Sequence, residues 1–135
     1  MTSLQMPKVD QSILSSKDKI TSDLSQILKS ENILSHEDEI RPYETDALAA
    51  YKQKPLLVVL PETVEQVSEI LKYCNKNKIK VVPRGAGTGL SGGALPLADC
   101  VLLGMGKFNK ILEIDYQNKC VVLQPCVTNL AITNA

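Results

Sequence analysis

The chain has 135 residues, of which 44% are hydrophobic, and its fifteen basic and fifteen acidic side chains give a formal net charge of zero. This length and composition suit a single domain of ordinary size, and the absence of a basic block predicts no nucleic-acid partner. No apolar run approaches the roughly 18 residues of a membrane span, and residues 1–10 lack a signal-peptide pattern, so we expect a cytoplasmic protein with reduced thiols.

The first predicted element is an amphipathic helix over residues 16–30, which we expect to pack on the outer surface of the domain. Its apolar residues recur at helical spacing and are Ile20, Leu24, Ile27 and Leu28. Residues 1–42 are predicted to form an N-terminal helical segment. His36 lies among acidic residues, and this pattern favours a solvated surface histidine over a catalytic base.

A β-α-β unit is predicted next. The apolar run Leu56–Leu60, bounded by prolines, is typical of a strand buried on both faces. Thr63 and Gln66 then form a capping-box pattern, and Ile79–Val82 supplies a second strand after the helix. The crossover should be right-handed. The apolar residues at helical spacing are Val64, Val67, Ile70, Leu71 and Cys74.

Five of the seven glycines follow this second strand within a stretch of eleven residues. Glycine is used where φ must be positive or where a ligand approaches the main chain closely, and successive unblocked N–H groups can bind a phosphate. A mobile linker is the alternative, but proline, alanine and leucine stiffen the stretch. The candidate phosphate-binding residues are Pro83, Arg84, Gly85, Ala86, Gly87, Thr88, Gly89, Leu90, Ser91, Gly92 and Gly93.

Residues 87–92 fit the dinucleotide fingerprint G-x-G-x-x-G, but the context contradicts it. Only six residues, including Pro96, separate Gly93 from the next apolar run at Cys100, and no crossover helix fits between them. A P-loop also fails, because no Gly-Lys-Ser/Thr follows the glycines. The sequence therefore predicts a loop between strands that binds phosphate through backbone amides.

The C-terminal part changes to antiparallel patterning. Residues 111–114 and 120–123 are predicted strands, joined by a five-residue polar connection suited to a hairpin. Thr128 is the predicted N-cap of a helix that begins at Asn129. The four cysteines show no C-x-x-C spacing, which predicts no metal site and mostly small buried thiols; Cys126 alone draws functional interest.

Three motifs, at residues 83–93, 105–115 and 124–132, occur here in an order that resembles the FAD-linked oxidases of the vanillyl-alcohol-oxidase type. Within that family the chain is most similar to the D subunits of glycolate oxidase and to FAD-linked D-lactate dehydrogenases, from about Tyr43 to Ala135. The resemblance implies an α+β fold, the N-terminal part of a PCMH-type FAD-binding domain over residues 43–135. A small parallel α/β lobe is followed by the start of an antiparallel lobe, where the chain is truncated.

The resemblance also implies roles for residues. The glycine-rich stretch would wrap the FAD pyrophosphate, and Pro125, Val127 and Thr128 would lie in a second flavin-contacting stretch. The FAD is expected to be non-covalent, because the family's tethering histidine aligns with Thr88. Cys126 stands where relatives commonly carry glycine, so its side chain is expected to crowd the flavin or block a positive φ.

By the same resemblance the complete protein would be an FAD-dependent 2-hydroxy-acid dehydrogenase or oxidase, acting on glycolate or D-lactate, with other glycolate oxidase subunits as partners. The substrate base and the carboxylate-binding arginine would follow Ala135, so this chain alone is expected to be inactive. Arg84 would be a structural or phosphate-side contact and not a substrate clamp. The alternatives are a non-catalytic truncated or split flavoprotein piece, and a reductase of the same FAD fold acting on a nucleotide sugar.

Overall fold

The computed structural model describes residues 7–135, so the expectation about a signal peptide in residues 1–10 lies partly outside the described residues. Within residues 7–135, no helix is both long enough and apolar enough to cross a membrane. Two short 3-10 turns, Ser30–Asn32 and Arg41–Tyr43, accompany the regular elements. These are α1 Gln11–Ser15, α2 Lys17–Leu24, β1 Ile33–Leu34, α3 Glu37–Ile40, β2 Leu57–Val59, α4 Val64–Lys76, β3 Lys80–Arg84, β4 Cys100–Gly104, β5 Ile111–Asp115, β6 Cys120–Leu123 and α5 Asn129–Thr133.

The larger sheet has the strand order β1-β2-β4-β3. Strand β4 pairs in parallel with β2 on one side and with β3 on the other, and β1 joins the edge antiparallel to β2. The predicted β-α-β unit is present as β2-α4-β3, but β4 lies between its two strands. The handedness of this crossover stays a prediction from the sequence.

The side chains of the central strands alternate between two apolar layers, as the pleat of a strand requires. Leu57 and Val101 face a main core that also contains Ile70 of α4. Val58 and Leu102 point to the opposite face and pack with Ile40 of α3. Both faces of the sheet are therefore covered, which explains why β2 and β4 consist of uninterrupted apolar residues.

Helix α4 begins where the capping pattern predicts. The Gln66 amide donates to the Thr63 hydroxyl at 3.2 Å, but the Gln66 side chain accepts from the Glu62 amide at 2.7 Å and not from Thr63. Two residues that the periodicity assigned to the buried face, Val64 and Leu71, are 67% and 44% exposed. Val64 lies in the first turn, and Leu71 is rotated about 100° from Ile70, away from the sheet.

The N-terminal helix is shorter than residues 16–30, because α2 ends at Leu24. The Ser25 hydroxyl donates to the Ser22 carbonyl at 2.6 Å, a local bond that competes with helix continuation. The chain then turns, yet the Leu28 amide still donates to the Leu24 carbonyl at 2.9 Å. Ile20, Leu24 and Leu28 are buried in the main core, so this segment contributes to the interior and is more than an outer covering.

A polar cluster joins the N-terminal segment to the connection after β4. The Lys107 ammonium donates to Asn32 Oδ1 and to Glu62 Oε1, both at 2.7 Å. Asn32 is only 2% exposed, and its amide also donates to Glu62 at 3.2 Å. The hydrogen bonds from Lys107 and Asn32 lower the pKa of Glu62. Side chains from three segments that are distant in the sequence therefore meet in this polar cluster.

A second ion pair closes the opposite end of the sheet. Asp99, just before β4, accepts from the Lys80 ammonium at 2.6 Å and from the Asp10 amide at 2.7 Å. Burial of the carboxylate raises its pKa, but the bonds from Lys80 and Asp10 outweigh burial, and the net pKa of Asp99 is lowered. The charged form of Asp99 is therefore stabilised in the fold and helps to fix the start of β4 beside β3.

The predicted hairpin and C-terminal helix are confirmed. Strands β5 and β6 pair antiparallel as a separate two-stranded ribbon, with an irregular register between Ile111 and Glu113. The Thr128 hydroxyl accepts from the Ala131 amide at 3.2 Å and caps α5. The expectation that Cys120 is buried is wrong, because the ribbon leaves it exposed. The predicted α+β class, a parallel lobe followed by antiparallel strands, is confirmed.

Replacing Leu24 by alanine tests whether the N-terminal segment is part of the core. Leu24 is 0% exposed, so we expect the free energy of unfolding to fall by about 2–5 kcal/mol. Ser22→Ala, an exposed change on the same helix, is the control and should shift stability by no more than about 0.5 kcal/mol. Urea denaturation measures both, and equal values for the two variants would contradict this packing.

Candidate functional site

The glycine-rich stretch leaves the end of β3 at Arg84 and reaches β4 at Cys100 without forming a helix. We call residues 85–94 the glycine loop. Strands β3 and β4 are nevertheless parallel neighbours, so irregular chain makes the crossover. The predicted absence of a crossover helix is confirmed, and no helix N-terminus follows the glycines. Any anion bound here must therefore use the loop's own N–H groups.

The backbone of the glycine loop is rich in donors without acceptors. Within residues 7–135, no N–H group from Gly85 to Ala94 donates a hydrogen bond. Gly87 and Gly92 both have φ of +72°, a conformation that L side chains rarely adopt. Since most of these residues are exposed, this run of N–H groups is free to donate to solvent or to a bound anion.

Arg84 fills the space directly beneath the loop. Its Nη1 donates to the carbonyls of Thr45 at 2.7 Å and Tyr43 at 3.3 Å, and its guanidinium lies 5.7 Å from the centre of the Tyr43 ring. A Cβ built on Gly87 would lie 2.7 Å from Arg84 Cζ. Glycine at position 87 is thus required by its positive φ and by the closeness of this side chain.

The segment 43–48, which we call the shelf, supports the loop from below. The Ala47 amide donates to the Gly87 carbonyl at 2.9 Å. A Cβ on Gly92 would meet the Leu48 side chain at 3.6 Å. Between them, Asp46 is only 5% exposed. No sequence motif assigns a role to Asp46 or Ala47, because only the fold brings them to the loop.

The structure brings the second predicted stretch to the first. The Cys126 amide donates to the Phe108 carbonyl at 2.9 Å, which fixes the chain after β6. The Cys126 sulfur lies 3.7 Å from a Cβ built on Gly85, so residues 125–128 run beside the start of the glycine loop. Of the residues predicted there, Pro125 and Thr128 are exposed and Val127 is half-buried.

The expectation that Cys126 blocks a positive φ is wrong. Within the described residues, the only non-glycine residues with positive φ are Lys78 and Lys119. The backbone at Cys126 is therefore compatible with a side chain, and its sulfur packs against Gly85. Cys126 is therefore notable for its contact with Gly85, and its backbone is not strained.

The side chains of the loop itself point to solvent. Thr88 and Ser91 are exposed, and within residues 7–135 neither hydroxyl has a hydrogen-bond partner. Leu90 is 73% exposed. A Cβ on Gly89 or Gly93 would meet no atom within 4 Å. The outer side of the loop is consequently open to a ligand, with hydroxyl donors beside the backbone donors.

Other groups with potential chemistry lie outside this arrangement. His36 is exposed at the start of α3, where its amide donates to the Glu39 carboxylate at 3.1 Å. Burial raises the pKa of the Cys74 and Cys100 thiols to about 11, which keeps them protonated near neutral pH. Within residues 7–135, no group of three or more histidine, cysteine, aspartate or glutamate side chains could hold a metal ion.

Residues 55–135 match the FAD binding domain family. This match covers more than half of the chain and includes the glycine loop and the Cys126 stretch. The chain therefore belongs to the FAD binding domain family, and its cofactor is FAD.

Curated relatives give the same picture. The chain is 54% identical over 103 residues to glycolate oxidase subunit GlcD of Escherichia coli K12, covering 76% of this chain and 21% of that protein. It is 38% identical over 104 residues to the mitochondrial D-2-hydroxyglutarate dehydrogenase of Arabidopsis thaliana, covering 77% and 18%. The chain spans about a fifth of the length of these relatives.

Solved structures confirm the PCMH-type fold. A 4-ethylphenol oxidase from Gulosibacter chungangensis, in complex with isoeugenol, superposes with a TM-score of 0.79 at 25% identity, over 96% of this chain and 25% of that one. A p-cresol methylhydroxylase with substrate bound gives a TM-score of 0.77 at 29% identity, over 93% and 25%.

Alkylation of cysteines in the full-length protein tests the position of Cys126 beside the loop. We expect saturating FAD to slow iodoacetamide labelling of Cys126 several-fold at about pH 8, because bound cofactor would cover it. Exposed Cys120 is the internal control and should react at the same rate with and without FAD. Peptide mass spectrometry measures both rates, and equal protection of the two thiols would argue against the placement.

Proposed function

We propose that this chain is the FAD-binding portion of a flavin-dependent 2-hydroxy-acid oxidoreductase, which acts in the complete protein on glycolate or D-lactate. The observation that supports this most strongly is the run of unpaired N–H groups from Gly85 to Ala94, placed between Arg84 and the Cys126 stretch. The relatives named for glycolate and D-2-hydroxyglutarate support the substrate class, a small 2-hydroxy acid.

The residues present fit the diphosphate part of FAD. The loop offers backbone donors and the hydroxyls of Thr88 and Ser91, and a cationic Arg84 lies beneath it, held by two carbonyls. An anion at this place would satisfy donors that have no acceptor within the described residues. We therefore infer that residues 83–93, at the end of β3 and in the glycine loop, hold the pyrophosphate, and that Pro125, Val127 and Thr128 contact the cofactor beyond it.

When FAD is bound, its flavin supplies the acceptor for a hydride from the α-carbon of the hydroxy acid. The role of this chain is to bind and orient the cofactor. Arg84 is committed to the carbonyls of Tyr43 and Thr45, which favours a structural or phosphate-side role over a substrate clamp. We propose that the substrate base and the carboxylate-binding arginine belong to sequence outside this chain, which alone is inactive.

Several finer points belong to the same proposal. The name of one relative, a subunit of glycolate oxidase, suggests partner subunits of that kind. The boundary between an N-terminal segment, 1–42, and the FAD-binding part, 43–135, is proposed from the sequence. A cytoplasmic location is also proposed from the sequence, although the names of some relatives describe them as mitochondrial.

Two alternatives remain distinct from this proposal. A non-catalytic truncated or split flavoprotein piece would bind FAD without turnover, and the exposed apolar side chains Leu112 and Leu130 fit a chain that needs a complement. A reductase of the same FAD fold would bind FAD but leave glycolate and D-lactate unchanged. The variant experiment below separates these possibilities when turnover is measured beside FAD binding.

Gly89→Val in the full-length protein tests the loop as the cofactor site. Gly89 lacks a positive φ and has open space around it, so the folded chain should accept valine without strain. A bulky side chain among the donors should raise the Kd for FAD at least about tenfold, a loss of about 1.4 kcal/mol. Turnover of glycolate or D-lactate with a dye acceptor should fall with FAD occupancy.

Gly106→Val is the matched control, since Gly106 also has open space but lies outside the loop. Its FAD affinity and unfolding midpoint should equal those of the unmodified protein. If Gly89→Val also kept its FAD affinity, the glycine loop would be structural only. FAD binding by the unmodified protein with no turnover of either acid would favour a non-catalytic or reductase role.

The FAD should be held without a covalent bond, because residues 83–93 contain no histidine or cysteine. Acid precipitation of the full-length holoprotein is expected to leave the yellow colour in the supernatant. Cys126 is the nearest thiol to the loop, and Cys126→Ser is therefore the informative variant. Colour in the pellet of the unmodified protein that disappears in Cys126→Ser would refute the prediction and identify the attachment point.

A further inference from the structure

We propose that Asp46 positions the glycine loop for the cofactor. Its carboxylate oxygen Oδ2 accepts a hydrogen bond from a backbone N–H of residues 85–93 when the loop closes on the diphosphate. This inference rests on the proposed function and adds a residue to it that no sequence motif assigns. Asp46 acts through the loop and does not touch the reacting atoms.

Asp46 lies where the shelf and the loop are joined. The residue before it, Thr45, gives its carbonyl to Arg84 at 2.7 Å. The residue after it, Ala47, donates its amide to the Gly87 carbonyl at 2.9 Å. Both neighbours of Asp46 are therefore hydrogen-bonded to the two ends of the tetrapeptide Arg84–Gly87, so a movement of the loop would also move Asp46.

The two carboxylate oxygens of Asp46 differ sharply. Oδ1 accepts from the Leu48 amide at 2.9 Å, which closes a local turn. Oδ2 exposes less than 1 Å² and has no hydrogen-bond partner within residues 7–135. An oxygen this enclosed is closed to solvent and to any ligand on the outer side of the loop. A buried carboxylate oxygen without a donor is costly, so a second arrangement that supplies one is favoured.

The donors available for that arrangement belong to the loop. The Thr45 hydroxyl lies 3.1 Å from the carbonyl oxygens of both Asp46 and Tyr51, so its single proton already has an acceptor. Arg84 forms no ion pair with Asp46 and directs its Nη1 to backbone carbonyls. The N–H groups from Gly85 onward have no acceptor within the described residues, and the loop meets the shelf at the Ala47 amide–Gly87 carbonyl bond and at Leu48 beside Gly92.

Electrostatics explains why binding of the diphosphate is coupled to the hydrogen bond at Asp46 Oδ2. A carboxylate close to a diphosphate repels it unless oriented donors stand between them. Loop amides can donate to Asp46 on one side and to the anion on the other. Positive φ at Gly87 and Gly92 allows neighbouring N–H groups to point in these different directions. Binding of the diphosphate and pairing of Oδ2 then stabilise the same loop conformation.

Asp46→Asn in the full-length protein is the test. Asparagine keeps the acceptor for Leu48 and replaces Oδ2 by an NH₂ group, which cannot accept from a loop amide. We expect the Kd for FAD to rise about tenfold or more, while the unfolding midpoint of the apoprotein does not fall, because removing a buried carboxylate oxygen that lacks a donor does not weaken the apo fold. Hydrogen exchange should detect slower exchange at one or more amides of residues 85–93 in unmodified holoprotein that is absent in Asp46→Asn holoprotein.

Glu44→Gln is the matched control, because Glu44 lies on the same shelf and, within residues 7–135, its carboxylate makes only a long ion pair of 3.7 Å with exposed Lys52. It should keep normal FAD affinity and normal loop protection. If Asp46→Asn binds FAD as tightly as the control, with the same protection, this inference is wrong and the proposed function stands. If the unmodified protein does not bind FAD, both fail.

A crystal structure of the unmodified holoprotein answers the same question without a variant. Asp46 Oδ2 is expected within about 3.2 Å of a backbone nitrogen of residues 85–93. An Oδ2 that stays without a donor, or that pairs only with Arg84, would overturn the inference even when FAD is present on the loop.

Discussion

The parallel pairing of β3 with β4 determines where the glycine loop lies. Arg84 and Gly104 are partners at the end of that ladder, so the chain leaves the sheet at its carboxyl edge. It must then return to Cys100 at the opposite edge through residues that form no helix. Ligands of open α/β sheets bind outside the carboxyl ends of the strands, and the glycine loop is placed there by strand direction alone. The buried apolar sequence of β4 fixes this pairing.

Arg84 connects the sheet to the loop and the shelf. It is the last residue of β3, and its side chain reaches back to the carbonyls of Tyr43 and Thr45. The same guanidinium occupies the space beside Gly87. Together with the hydrogen bond from the Ala47 amide to the Gly87 carbonyl, this cation holds the shelf and the loop together, and it contributes positive charge beside a row of N–H donors. The anion binding that we propose for this loop would therefore depend on its backbone and on one side chain together.

Local patterns predicted the local structure well. The start of α4, the hairpin and the Thr128 cap follow from short-range chemistry, and the glycine loop follows from composition. What the sequence did not predict depends on distant contacts: β1 at the edge of the sheet, the end of α2 at Leu24, and β4 between β2 and β3. Asp46 reaches the loop only through tertiary packing, and no spacing pattern in the sequence places it there, whereas the family resemblance indicates the flavin-contacting stretch that contains Cys126.

The larger sheet is built entirely from residues 33–104, and this has a consequence for synthesis on the ribosome. Once Gly104 has left the exit tunnel, all four strands and both apolar layers are available for assembly. The loop crosses between two strands of that sheet and acquires its geometry at the same moment. Because domains fold as units during translation, N-terminal ones first, a sheet that assembled as such a unit would carry the glycine loop while later parts of a polypeptide are still being made. A nascent chain could then be ready for its cofactor before translation ends.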